Sequence, residues 1–153
     1  MRTVELTIWL PADPGVVWQH VRMPQLLCHV ASPLIRFEPR DAAFPEEWQT
    51  AEYRAEMFLF GTLPIGWQAI GIEYPKPLGD VRYIRDNGYG PLIKRWDHWI
   101  AIGPERGGTR YLDQVTIDAG VLTPIVATFA RAFYAHRQRR WRELARTDFA
   151  ALN

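Results

Sequence analysis

The chain holds little of what marks a disulfide-stapled, membrane or metal protein. Of its 153 residues one is cysteine, Cys28, which excludes an internal disulfide framework and fits a reducing compartment. No stretch approaches the roughly 20 apolar residues of a membrane span, so no integral membrane segment is expected. The opening residues, MRTVELTIWLPADP, alternate rather than forming an apolar run, and no signal peptide is read there. The expectation is a soluble, cytoplasmic protein. An excess of charge is also missing: 18 Lys and Arg against 17 Asp and Glu leave a net charge of +1, which argues against a nucleic-acid binder with a broad basic surface. No Cys/His cluster has zinc-like spacing, and HExxH, DxD, a serine nucleophile elbow, a P-loop and a dinucleotide fingerprint are all absent. No metal or cofactor is therefore expected.

Glycine and proline are absent from Ile125 to the last residue, and that absence points to one long helix over Thr123–Phe149. Thr123 suits an N-cap and Pro124 the first helical position. Ile125, Val126, Phe129, Ala130, Phe133, Trp141 and Leu144 fall mostly at i, i+3, i+4 spacing. Arg131, Arg137, Arg139, Arg140, Arg142 and Arg146 make the other face basic, either as a solvated surface or as a contact for an anion or ligand. At 1.5 Å per residue the helix spans roughly 40 Å, enough to cross a small domain.

What precedes it alternates. Thr3–Leu10 has Val4, Leu6, Ile8 and Leu10 on one side, a half-buried strand. Asp13-Pro14 starts a first short helix and Pro24 a second, ended by Ser32-Pro33. Strands are read at 34–38, 53–60, 67–74, 81–86, 93–102 and 109–119, with a polar loop over 39–50 and turns at 61–66, 75–79, 87–91 and 104–108. Short turns pair consecutive strands antiparallel. The result is an α+β domain spanning residues 1–153: a seven-stranded curved antiparallel sheet wrapped around the long helix, with two short helices after the first strand. Seven Trp, seven Phe and six Tyr suit either a packed core or a large apolar pocket.

Three stretches carry a family resemblance: Ile8-Trp9-Leu10-Pro11-Ala12-Asp13-Pro14-Gly15-Val16-Val17-Trp18, Gly107-Gly108-Thr109-Arg110-Tyr111 at the entry to the last strand, and the Arg-rich end of the terminal helix. In this order they resemble the SRPBCC superfamily, the START and Bet v 1-like helix-grip proteins, often described as polyketide cyclase or dehydrase-like. The likeness covers nearly the whole chain. It implies a hydrophobic cavity and a small apolar or amphipathic ligand (lipid, terpenoid or polyketide-like). It implies no single reaction, since members include lipid carriers, hormone and pigment binders, aromatase/cyclases and chaperone co-activators. The 39–50 segment has no glycine, unlike the Gly-rich loop of the Bet v 1 plant proteins.

Strand alternation and the helix stripe single out Trp96, Ile100, Tyr111, Val115, Phe129 and Phe133 as the cavity lining. His98 and Asp113 fall in the same apolar phase of their strands, and the 104–108 turn brings them within a residue of being opposed. A buried Asp needs a partner, and His98 can supply it. Three roles stay open for the pair: a structural contact ordering the hairpin, a polar anchor for a ligand, and an acid/base dyad in a cyclase, dehydratase or isomerase. His20, His29 and His136 have no clear partner, and Cys28 reads as a small packing residue. A carrier for a hydrophobic molecule and an enzyme using His98 and Asp113 are the two competing functions.

Overall fold

The structure, a computed structural model, covers residues 1–153. Strand β1 (Arg2–Leu10) is followed by helices α1 (Pro14–Val21) and α2 (Pro24–Ala31), then by β2 (Ile35–Pro39), β3 (Glu52–Leu59), β4 (Leu63–Glu73), β5 (Arg82–Gly88), β6 (Arg95–Glu105) and β7 (Gly108–Asp118), and by the long helix α3 (Thr123–Arg146). The strands form one antiparallel sheet in the order β1-β7-β6-β5-β4-β3-β2. Each of β2 to β7 lies beside its sequence neighbours, and β1 closes onto β7. This is the α+β helix-grip architecture expected from the alternation.

Local chemistry sets the boundaries. Asp13 caps α1 by accepting from the Gly15 N–H at 2.8 Å, with Pro14 in the first turn. Leu122, not Thr123, precedes α3, so Thr123 lies inside the helix. Its hydroxyl accepts from Ala119 N–H at 2.9 Å and donates to Gly120 C=O at 2.7 Å, tying down the short 3-10 turn at Gly120–Leu122. The helix stops at Arg146, earlier than expected, because Asp148 and Phe149 turn left-handed at φ 50 and 60. That turn folds the Phe149 ring back onto His20, with ring centroids 3.9 Å apart.

Helix α3 lies along β1 and β7 and also touches α2. Its buried stripe is Ala127, Ala130, Phe133, Tyr134, Arg137, Gln138, Trp141, Leu144 and Ala145. Two expectations about its faces are corrected. Ile125 stands 69% exposed at the start of the helix. Arg137, expected on the basic outer face, is buried. Positions 130, 133/134, 137, 141 and 144 form a continuous i, i+3/i+4 series, so Arg137 lies in the middle of the stripe.

The β6–β7 hairpin is tighter than expected. Glu105 pairs with Gly108, leaving Arg106-Gly107 as a two-residue loop at φ 50 and 73. The loop over 40–51 is likewise less passive than its polar composition suggests, since Trp48 is buried in the core.

Candidate ligand cavity

The pleat of β6 and β7 fixes the first part of the site. Trp96, His98, Ile100 and Ile102 share the inner face of β6, and Tyr111, Asp113, Val115 and Ile117 that of β7. The tight turn sets the register at His98↔Val115 and Ile100↔Asp113. His98 and Asp113 are therefore diagonal neighbours on one face, two residues out of direct opposition. The diagonal suffices: His98 Nε2 lies 2.7 Å from Asp113 Oδ1. The other carboxylate oxygen accepts from Gln138 Nε2 at 3.0 Å, and that amide also donates to Leu6 C=O at 2.9 Å. Burial lowers the His98 pKa and outweighs the opposing pull of Asp113. A neutral ring that donates Nε2–H to Asp113 keeps a lone pair on Nδ1, and Nδ1 has no protein partner.

Beside this pair lies a cavity of about 320 Å³, and fifteen of the nineteen residues around it are hydrophobic. Ile35 and Phe37 of β2, Met57 and Leu59 of β3, Ile65 and Ile70 of β4 and Ile93 before β6 form the sheet wall; Val126, Phe129 and Phe133 of α3 close it. Trp96, His98, Phe129 and Phe133 line it as expected. Ile100, Tyr111, Asp113 and Val115 do not. The reason is the position of α3, which packs directly on β1 and β7 and covers the inner row of β7. Tyr111 meets Trp141 with ring centroids 5.0 Å apart, and Val115 is buried in one cluster with Ala127, Ala130 and Tyr134. The open space lies instead over β2 to β6. Ile100 borders a second, smaller space of about 60 Å³.

Leu27, Ile70, Asp86, His98 and Arg137 line both spaces, so the polar groups collect where the two meet. Asp86 of β5 stands opposite His98 in the ladder. Its Oδ1 accepts from Gly71 N–H at 2.9 Å, and burial pushes its pKa up to about 7, with Arg137 pulling the other way. Tyr134 lies over the His98 ring at 4.6 Å between centroids and accepts from Trp96 Nε1 at 3.0 Å. Burial raises its pKa, which keeps the phenol protonated. Burial works against the charge of Arg137, but Tyr111, Asp113, Tyr134 and Asp86 outweigh it and raise the pKa of the guanidinium. Gln68 is 6% exposed and lines the larger space.

Asp86 and Gln68 were missed at the level of sequence, and Arg137 was read only as one of six arginines on a basic face, although each carried a signal. Asp86 shares the phase of Ile84 on β5, Gln68 that of Ile70 and Ile72 on β4, and Arg137 fills the gap in the helix stripe between Phe133 and Trp141.

A sheet closed around one long helix, with an apolar cavity between them, defines the START-like helix-grip class. Solved structures bear this out across nearly the full chain. Protein CV1439 from Chromobacterium violaceum matches with a TM-score of 0.67 at 14% identity, covering 95% of this chain and 98% of that one. A START superfamily protein from Mycobacterium smegmatis matches at 0.63 and 13% identity, covering 95% and 97%. A STAR-related lipid transfer protein from Xanthomonas axonopodis matches at 0.64 and 15% identity, covering 95% and 86%. The chain itself belongs to the family described as a domain of unknown function, DUF8410, whose model matches residues 9–145. No curated protein matches it by sequence. No helix is long and apolar enough to cross a membrane.

Proposed function

We propose that the protein is a binding or carrier module for a small hydrophobic molecule, working as a single domain in the cytoplasm with its ligand between α3 and the β2–β6 side of the sheet. The observation that carries this reading is the cavity of about 320 Å³ with its predominantly hydrophobic wall. Leaving such a space empty sacrifices the packing a solid core would have, and its size falls at the small end of the range of about 300–1,000 Å³ typical of ligand pockets. The lipid-transfer name of one structural neighbour agrees with it. Titration with the uncharged dye Nile red tests the reading. Saturable uptake that Met57→Trp abolishes without lowering stability supports it; no uptake by the native protein rejects it.

A second reading, an enzyme of cyclase, dehydratase or isomerase type, is favoured by one observation. His98 is neutral, held at Nε2 by Asp113 and unpartnered at Nδ1, opposite an Asp86 carboxyl pushed up to about 7. A held imidazole and a carboxyl that titrates near neutrality are the components of proton transfer inside a cavity. Assay of a candidate substrate against His98→Gln decides it: turnover must collapse while binding survives.

A further inference from the structure

Arg137 is a charge with no directly bonded counter-ion. It is 6% exposed, its Nε is buried with no hydrogen-bond partner, and the guanidinium makes no hydrogen bond or ion pair with any side chain or backbone group. What it touches is aromatic: the Phe133 ring centroid lies 5.7 Å and the Tyr134 centroid 5.1 Å from its central carbon. Ring faces attract a cation but accept none of its five N–H hydrogens. Its place in the helix stripe would pack better with an apolar residue, because an unpaired buried charge is among the costliest groups a core can hold.

The nearest acids do not fill the gap. Both Asp113 oxygens are engaged, by His98 and Gln138, and Asp86 Oδ1 is engaged by Gly71. Two more groups that line the larger cavity want an acceptor. Tyr134 accepts from Trp96, which leaves its own O–H without a partner. The Gln68 amide is equally without a protein hydrogen bond. Three sources of donors thus line a cavity that is otherwise mostly apolar.

Resting on the reading of the cavity as a ligand site, we propose that the ligand is an amphipathic carboxylic acid, its carboxylate received by Arg137 with Tyr134 and Gln68, its apolar body lying along Trp96, Phe129 and Met57. The planar fork of the guanidinium fits two oxygens on one carbon. A monoanion neutralises the single arginine, whereas a dianion such as a phosphate monoester brings surplus negative charge up to Asp86 and Asp113. An alcohol or ketone offers the guanidinium no charged, two-oxygen acceptor.

The surroundings of Asp86 add a consequence. It is faced by His98 of β6, by Arg137 and Tyr134 of α3, by the Gly71 N–H of β4, and through His98 by Asp113 of β7; Asp97, on the outer face of β6 with Arg85 and Arg95, also pushes its pKa up. A bound carboxylate adds one more negative charge and holds the Asp86 proton on. Acid binding then takes up a proton, and affinity falls as the pH rises above about 7.

Displacement of Nile red by decanoate and by decanol, which share a chain and differ in the head group, tests the proposal on the native protein. The expected result at pH 7 is that decanoate displaces the dye about ten- to a hundredfold more effectively, the range of one charge-assisted hydrogen bond. Arg137→Met abolishes that preference, and Arg137→Lys keeps the charge but loses the fork and retains part of it. Between pH 6.5 and 9 the advantage of decanoate shrinks in the native protein and stays flat in Asp86→Asn. Equal displacement by acid and alcohol in the native protein overturns the proposal, as does a preference that survives in a folded Arg137→Met variant. Both results leave the carrier reading standing if Nile red binds; failure of the dye and of decanoate to bind sinks the two together.

Discussion

Asp86 and His98 face each other directly across the β5–β6 ladder, yet each is bonded elsewhere: the carboxylate to Gly71 N–H on one side, the imidazole to Asp113 on the other. The face-to-face pair is left open toward the cavity. It behaves as two independent groups that share a space, not as an ion pair.

The first prediction concerns Asp86 and pH. Its folded pKa of about 7 lies above the ordinary carboxyl value of 3.8, so the folded state binds more protons than the unfolded state between those limits. Its contribution to stability is therefore greatest below pH 4 and declines as the pH rises to about 7, then levels off. Asp86→Asn removes the ionisation. Urea unfolding should find the variant and the native protein close at pH 4, with the variant gaining about 3–5 kcal/mol relative to the native protein by pH 8, at roughly 1.4 kcal/mol per pH unit between the two pKa values.

Asp113 is placed behind His98 and outside the cavity. In Asp113→Asn one oxygen can still accept from His98 or from Gln138, but the new amide nitrogen then faces the other donor. Unfolding should show a loss of about 1–3 kcal/mol, the cost of one unmatched buried polar group. Nile red affinity should stay within about twofold of the native value, since the residue does not touch the ligand space.

Volume changes separate the filled from the open half of the inner face. Val115 is fully buried against α3, so Val115→Trp overpacks the core and should lower stability by about 1–3 kcal/mol or more. Phe133→Ala, at the border of core and cavity, should cost about 3 kcal/mol. Thermal melts with dye binding on the same samples check both: each variant should melt earlier, and the enlarged cavity of the second should still take up dye.

The Gly107-Gly108-Thr109 phrase has a physical basis. A Cβ on Gly108 would collide with the Leu10 carbonyl oxygen and lie 2.8 Å from the Trp9 ring, while Thr109 Oγ1 donates to Ala12 C=O at 2.8 Å. Gly107 has open space but φ 73. Gly108→Ala should therefore cost more than Gly107→Ala, about 2–3 kcal/mol against about 1 kcal/mol, as read by urea midpoints. Equal losses would mean that the β1–β7 approach is not set by this glycine.

Much of the fold was legible because each strand buries one face, and a period of two then places every inner residue. His98 and Asp113 were found on one face by that rule alone. Their register was not, because a strand pattern does not reveal whether a turn has five residues or two. The cavity wall was misplaced for a different reason. Alternation shows which residues point inward but not which of them the helix covers, and α3 lies over β1 and β7 instead of the middle of the sheet. Arg137 was lost among its neighbours: five other arginines on α3 suggested a surface, and residue type outweighed spacing.

The cavity's polar lining draws on Gln68 from β4, Asp86 from β5, His98 from β6, and Tyr134 and Arg137 from α3, positions scattered over nearly half the chain. No fragment short of α3 brings them together, and the arginine arrives with the last long element of the chain. During synthesis the strands must therefore pair and hold their curvature before any head group can be gripped. A captured molecule would act as a latch on the finished product, favouring the native population by mass action and leaving nascent chains untouched.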